Sequence, residues 1–389
     1  MKYRELGNTG LQVSEIGMGC EGFGEDGCRN ARLLFDAAQE LGINYFDLYT
    51  SNPEIRAAVG EALQGRRDQF LIQSHVCSVW KDGQYKRSRD IQEVRAGFEE
   101  MMALLRTDYL DVGMIHYCDS LKDWEEIVNG PVMEYVQEKK RAGVIRHVGL
   151  SSHNPEVALK AVESGLIEVL MFSVNPCYDL QPAGEDVEEL WNGKNYEGHL
   201  INMDPQREKL YEACQARGVG ITVMKAFGGG DLLDAKLSPA GKAMTAVQCI
   251  HYALTRPAVA TVLAGAHSVE QLRASAAYED APDAERDYAA VLASFPNISW
   301  KGHCMYCSHC APCPKKLDVA SITKFLNLAL AQGTVPETVR EHYALLEHHA
   351  GECIGCWACE SRCPFEVSIV ENMARAEKIF GKGYVTTNS

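Results

Sequence analysis

Eight of the fifteen cysteines fall in two short strings near the end of the chain. The first is Cys304, Cys307, Cys310 and Cys313; the second is Cys353, Cys356, Cys359 and Cys363, followed by Pro364. Three thiolates spaced two residues apart can hold one face of an iron–sulfur cubane, and the fourth, followed by proline, reaches to a neighbouring cluster. This predicts one [4Fe-4S] set of Cys304, Cys307, Cys310 and Cys363. The second set is Cys353, Cys356, Cys359 and Cys313. The first string is one residue shorter before its last cysteine, so the partner set of Cys313 is the less determined. Zinc in two four-cysteine sites is the alternative.

A second group of chemistry-bearing residues lies far upstream. Ile43-Asn44-Tyr45-Phe46-Asp47 runs apolar residues into a carboxylate. Phe70 to His75 and Leu110 to His116 repeat the form with an imidazole at the end. In a barrel of alternating strands and helices, the C-terminal strand ends face the active site. Asp47, His75 and His116 are therefore expected to converge on one mouth, where a histidine pair could move a proton and the carboxylate could orient one ring. Tyr49, three positions before Asn52, is a nearby phenol.

The elements needed to hold these residues are legible in the pattern. Residues 2–13 predict a hairpin around Gly7-Asn8-Thr9-Gly10. Strands are expected near 13–19, 43–47, 70–76, 110–116, 144–150, 167–172, 219–224 and 259–263. Helices are expected near 29–41, 54–64, 89–106, 122–142, 155–164, 204–217, 239–255 and 268–280. The strands are near-continuous apolar runs, as in sheets covered on both faces. The simplest closed form is an eightfold β/α (TIM) barrel over 1–296. A small, mainly helical cysteine domain follows over 297–380, with helices near 318–331 and 336–349 and a polar tail over 381–389. A doubly wound sheet is the alternative for the first part. The long polar loop from about 177 to 203 reads as a cover for the mouth.

The chain has 38 basic and 53 acidic residues, a formal charge of -15. That excludes nonspecific nucleic-acid or anionic-membrane binding and favours small partners. No apolar run approaches the roughly 20 residues of a membrane span, and Met1 to Gly10 has no apolar signal core, so a cytoplasmic location is expected.

Several segments resemble the aldo-keto reductases. Tyr3-Arg4-Glu5-Leu6-Gly7-Asn8-Thr9-Gly10-Leu11 resembles their opening, and Asn44-Tyr45-Phe46-Asp47 the segment with their catalytic aspartate. Thr107-Asp108-Tyr109-Leu110-Asp111 leading to His116 resembles the strand with their catalytic histidine. Gly149-Leu150-Ser151-Ser152-His153 and Met224-Lys225-Ala226-Phe227-Gly228 resemble segments near nicotinamide and pyrophosphate. The resemblance covers about residues 1–280; the variety with a C-terminal two-cluster, ferredoxin-like extension accounts for the rest. It implies NAD(P)H, with Ser151, Ser152, Asn175, Lys225, Gly228, Ser268 and Arg273 as cofactor-binding positions. It also implies a catalytic tyrosine and lysine, but Asn52 stands at the tyrosine position and His75 at the lysine position. At the adenosine end, Ser268 and Arg273 persist, while Glu270 would repel a 2′-phosphate if it faced one.

The expected function is oxidation or reduction of a small carbonyl or hydroxyl compound. Protons would pass through His75 or His116, and electrons through the two clusters to a ferredoxin or flavoprotein. A non-redox elimination or isomerisation by the histidine pair, with structural clusters, is one alternative; a non-catalytic electron-transfer subunit is another. Exposed cubanes imply an anaerobic host.

Overall fold

Tyr3–Glu5 (β1) and Gln12–Ser14 (β2) pair antiparallel, as the Gly7–Gly10 turn requires. The chain then lays down Ile16–Gly19 (β3), Tyr45–Leu48 (β4) and Leu71–Val76 (β5). An antiparallel hairpin follows, Ser78–Lys81 (β6) and Gln84–Arg87 (β7). After it come Leu110–Ile115 (β8), Ile145–Ser152 (β9), Val169–Ser173 (β10), Leu200–Ile201 (β11), Gly220–Met224 (β12), Val259–Gly265 (β13) and Ile298–Ser299 (β14). The computed structural model describes residues 1–20, 22–23, 30–181, 184, 200–238, 241–294, 298–299, 302–332 and 335–381. Most of the loop expected as a cover, and the tail beyond 381, lie outside the described residues.

Eight parallel strands close a barrel in the order β10-β12-β13-β3-β4-β5-β8-β9, with helices between them. The closed sheet replaces the doubly wound alternative. Each expected strand is present within a few residues of its predicted bounds. The helices start where short polar side chains can accept the orphan N–H groups. Asn52, Asp90, Ser120, Asn154, Asp204 and Ser268 each cap a helix. Pro53, Pro155 and Pro205 follow three of these caps, where the missing N–H costs nothing. One expected helix is two: Leu121–Val128 and Pro131–Arg141. Pro131 has no N–H to continue the first helix, so the chain breaks at Asn129-Gly130 and restarts. The helix expected from 239 begins only after its capping Thr245.

The barrel has two separate cores. Inside it, Tyr45, Val112, Met114, Val169, Met171 and Ala260 pack together, with Leu6 and Val13 of the first hairpin joining them. Outside it, residues such as Met18, Phe46, Ile72, Ile115 and Leu150 pack against the helices. Gly149 is needed for this interior: a Cβ there would stand 2.2 Å from Met114 Sδ.

The cysteine strings belong to a helical unit in which Val319–Gln332 packs against Ile369–Phe380. It is clamped to the barrel by Arg256, on the corner after Ala246–Leu254, and by Tyr288, just before the short helix Ala289–Leu292. The fully buried Arg256 guanidinium and the Tyr288 hydroxyl (2.6 Å) both donate to the Met305 carbonyl. Arg256 also lies between the rings of Tyr252 and Tyr306. Helix Val319–Gln332 packs on helix Pro205–Arg217. These barrel helices follow β10 and β12, and β12 stands four strands from β5 in either direction. The unit thus sits on the flank opposite His75. Among the described residues, no helix is long and apolar enough to cross a membrane.

Candidate active site

Strand alternation decides which side chains reach the barrel mouth. Asp47 on β4 is in register with Gln73 on β5, and His75 follows Gln73 by two residues on the same face. His75 is in register with Met114 on β8, and His116 follows Met114 by two. Tyr45, Asp47, Gln73, His75, Met114 and His116 therefore line one side of the interior.

The three sequence-predicted residues are joined in a line. His75 Nε2 is 3.0 Å from Asp47 Oδ1, and His75 Nδ1 is 2.6 Å from His116 Nδ1. The polar order is set from below. The hydroxyls of Tyr45 (2.8 Å) and Thr222 (3.2 Å) donate to Gln73 Oε1, which turns the Gln73 amide nitrogen onto Asp47 Oδ1 at 2.6 Å. A carboxylate oxygen receiving that N–H accepts the His75 Nε2 proton as well. His75 Nδ1 then carries a lone pair and accepts from His116 Nδ1–H. His116 Nε2 is left as an acceptor, and the Tyr85 hydroxyl fills it. Burial, with His75, Arg89, His153 and Arg87 nearby, holds His116 well below the usual imidazole range. His116 is therefore neutral at pH 7.

Tyr85 is a residue that sequence reasoning missed. It stands on β7, opposite Trp80 on β6, across the tight turn Asp82-Gly83, both of positive φ. An Asp-Gly between alternating residues is a strong hairpin signal and could have placed it. Burial raises its phenol to about 12, with Tyr49 nearby adding to the rise. Tyr49 lies at the rim, its ring 6.2 Å from that of His116. Asn52 is turned away from this chemistry, because its Oδ1 accepts the Glu54 N–H at 2.9 Å.

A second line faces the same mouth from β8, β9 and β12. Asp119 Oδ2 accepts from His153 Nδ1 (2.9 Å), and His153 Nε2 is 3.0 Å from Lys225 Nζ. Burial alone would raise Asp119, but His153 and the Ser152 hydroxyl hold it below its usual range. Burial lowers His153 and brings Lys225 down to about 8. The Tyr117 ring bridges the two lines, with its centroid 5.4 Å from His153 and 6.2 Å from His116.

The positions implied for a nicotinamide ring are engaged within the protein. Ser151 Oγ accepts the Tyr117 N–H (2.8 Å), and Ser152 Oγ donates to Asp119 (2.8 Å). Asn175 is fully buried; its Oδ1 accepts from Cys177 and Tyr178, and its Nδ2 donates to the Lys225 carbonyl. Gly228 is buried against Leu232, with Asn175 Nδ2 close by. A nicotinamide carboxamide at this arc would meet Ser152 and Asn175 already hydrogen-bonded within the protein. At the adenosine end, Ser268 caps its helix, and Arg273 is exposed 4.0 Å from Glu40.

The structure brings the cysteines of the first set together. Cys304, Cys307, Cys310 and Cys363 line one small cavity with Val319, Phe365, Val367 and Ile369. Burial, and then the neighbouring thiols Cys307, Cys310 and Cys363, push Cys304 to about 12. In the second set Cys353 lies near Cys359, while Cys356 is exposed. Arg362 Nη2 ties the strings together through the carbonyls of Cys310 (2.5 Å) and Pro312 (2.8 Å). Among the described residues, no group of three or more His, Cys, Asp or Glu side chains is arranged to hold a single metal ion. The upstream cysteines 20, 77, 118 and 177 are buried packing residues.

The buried histidines carry a pH consequence. His116, His153 and His251, the last at about 4, are all lowered chiefly by burial. Their ordinary value is about 6.5. Below that pH the unfolded chain takes up protons the folded chain refuses, so stability falls with acidification. The limiting slope for three such groups is about 4 kcal/mol per pH unit. Glu212, raised by burial to about 8, and Glu208 and Asp179, raised likewise, act in the opposite sense over the same range. The histidine contribution is therefore read by difference: Glu212→Gln should make the melting temperature fall more steeply between pH 6.5 and 5 than in the wild type, and an unchanged profile would contradict the burial argument.

A closed parallel barrel with carboxylate, imidazole and ammonium groups at its strand ends is the scaffold of an enzyme whose chemistry sits at that mouth. The Aldo/keto reductase family model matches residues 15–248, more than half the chain, and ends before the cysteine strings. The chain is 30% identical over 293 residues to the uncharacterized oxidoreductase YqkF of Bacillus subtilis, covering 70% of this chain and 89% of that protein. It is 27% identical over 186 residues to L-galactose dehydrogenase of Arabidopsis thaliana, covering 44% of this chain and 56% of the relative. The holo form of the aldo-keto reductase AKR11C1 from Bacillus halodurans has a TM-score of 0.58 at 25% identity, over 74% of this chain and 94% of that one. The chain belongs to the aldo/keto reductase family and is an oxidoreductase acting on small organic substrates.

Proposed function

We propose that the mouth interconverts a small hydroxyl and carbonyl compound, with protons carried by the Asp47–His75–His116 line. We further propose that residues 302–381 carry two [4Fe-4S] clusters serving as its electron store. The observation that carries the reading is the unbroken sequence of hydrogen bonds from Asp47 through both imidazoles. The Lys225 ammonium, set against a neutral imidazole, suits the anionic end of a substrate. Four thiols around one cavity support the first cluster, with Cys304, Cys307, Cys310 and Cys363 as ligands. For the second, the spacing of Cys353, Cys356 and Cys359 with Cys313 supplies the ligands. When bound, such clusters supply one-electron storage.

One observation favours a second reading. The engaged Ser152 and Asn175, and two Asp–His lines around one mouth, also suit elimination or isomerisation without hydride. A single anaerobic experiment separates the two. Protein with dithionite-bleached clusters is offered a set of aldehydes, ketones and 2-oxo acids, with and without NADH or NADPH. The proposal expects alcohol product and return of absorbance near 400 nm, independent of nicotinamide. Product isomerised or dehydrated with no change in absorbance would replace it with the second reading.

A further inference from the structure

We propose that Tyr85 is the acid–base residue that meets the substrate oxygen, as the outer end of a four-membered proton chain Tyr85–His116–His75–Asp47. This rests on reading the mouth as an oxidoreductase site and supplies the phenol that position 52 lacks.

The chain is graded from solvent to core. Tyr85 is 38% exposed, His116 7%, His75 2% and Asp47 1%. A substrate entering the mouth reaches the phenol first, and the charge-bearing carboxylate is the member farthest from it. The hairpin that carries Tyr85 is pinned. Ser51 Oγ donates to the Val79 carbonyl (2.7 Å), Ser78 Oγ to the Tyr49 carbonyl (2.7 Å), and Arg56 Nη2 to the Ser78 carbonyl (3.1 Å). The phenol is thus held by the same rigid strands that hold Asp47 and His75. The charged and titratable groups around it are Tyr49, Tyr117, Arg87 and Arg89; those around His116 are His75, His153, Arg87 and Arg89. The two arginines are paired with Asp123, which keeps them off the chain.

The polarity has a direction. With Gln73 Nε2–H and His75 Nε2–H both on Asp47 Oδ1, every mobile proton points inward. A substrate hydroxyl can therefore lose its proton in one concerted shift. The substrate O–H bond breaks and Tyr85 Oη takes the proton. The Tyr85 proton goes to His116 Nε2, the His116 Nδ1 proton to His75 Nδ1, and the His75 Nε2 proton to Asp47 Oδ1. Each bond broken is matched by one formed, and the single negative charge moves from Asp47 to the substrate oxygen. No imidazolium is left in the barrel, where its burial would be costly. The resting chain is set to deprotonate an alcohol; carbonyl protonation runs the same shift backwards from protonated Asp47.

Tyr85→Phe in the full-length, cluster-loaded protein tests this. The probe reaction is oxidation of primary and secondary alcohols with an artificial two-electron acceptor. The expected result is a loss of kcat of about 10²-fold or more, KM within a few-fold, and loss of the solvent deuterium isotope effect on kcat. Wild-type kcat and isotope effect in the variant would overturn the assignment while leaving the oxidoreductase reading intact. If the wild-type protein oxidises no alcohol, nitrogen-15 NMR of the histidines decides. A His116 Nε2 resonance unmoved by Tyr85→Phe overturns the chain. A shifted resonance keeps the chain, and the failure to oxidise any alcohol then counts against the proposed hydroxyl–carbonyl chemistry instead.

Discussion

His75→Leu is expected to lower kcat by about 10²- to 10⁴-fold with KM little changed. His75 is the one side chain bonded to both Asp47 and His116 among the described contacts, at 3.0 and 2.6 Å. Leucine keeps the volume and the strand but removes both nitrogens, so His116 can neither pass a proton inward nor take one back from that side. KM should be spared because His75 is 2% exposed and lies behind His116 as seen from the mouth. Asp47→Asn should cost a similar factor by a different route: the amide still fills the space but cannot take up the arriving proton. Because the two act in one sequence, the double variant should be scarcely worse than either single one. Steady-state kinetics on the four proteins checks this. Fully multiplicative losses, or a His75→Leu enzyme with normal kcat, would show that the line is structural.

The placement of this line was readable because strand ends announce themselves. An apolar run that stops at a carboxylate or imidazole locates both the strand and the face, and Asp47, His75 and His116 arrived together as expected. Tyr85 was not readable in the same way. It belongs to no barrel strand, and its approach to His116 depends on a hairpin folding back across the mouth, a long-range event that periodicity does not encode. Asn52 illustrates the converse. A family position identifies it as the place of an acid, yet the local chemistry of Asn before Pro53 makes it a helix cap. Gln73 was hidden because a buried amide carries no signal until the two hydroxyls that turn it, from Tyr45 and Thr222, are known. The break at Asn129-Gly130 was written in Pro131, but amphipathic spacing on both sides masked it.

If residues 302–381 hold the two proposed clusters, Cys304→Ala is expected to remove one of them and loosen the unit, whereas Cys356→Ala should act far more mildly on structure. Cys304 stands inside the cavity shared with Cys307, Cys310 and Cys363, next to Met305, whose carbonyl takes the buried Arg256 guanidinium and the Tyr288 hydroxyl. The apolar core around that cavity is small: Leu317, Ile322, Leu326, Phe365, Ile369, Met373 and a few neighbours. In so thin a core, ligand bonds stand in for packing, and metal binding and folding become one equilibrium. The Met305 contact is one of several that hold the Arg256 guanidinium, which also donates to the Tyr252 carbonyl and to the Thr255 and Tyr288 hydroxyls. Loosening the loop around Cys304 therefore weakens the clamp by one hydrogen bond to a charged group, about 1.5–3 kcal/mol, and favours detachment of the unit from the barrel flank. Cys356 is exposed, so its loss should deplete iron without releasing the clamp. Iron and sulfide analysis read beside limited proteolysis distinguishes the cases. Cys304→Ala should lose iron and become cleavable between 302 and 381 while the barrel stays intact. Full iron content and unchanged protease resistance in that variant would mean that the cysteines are not what holds this unit in place.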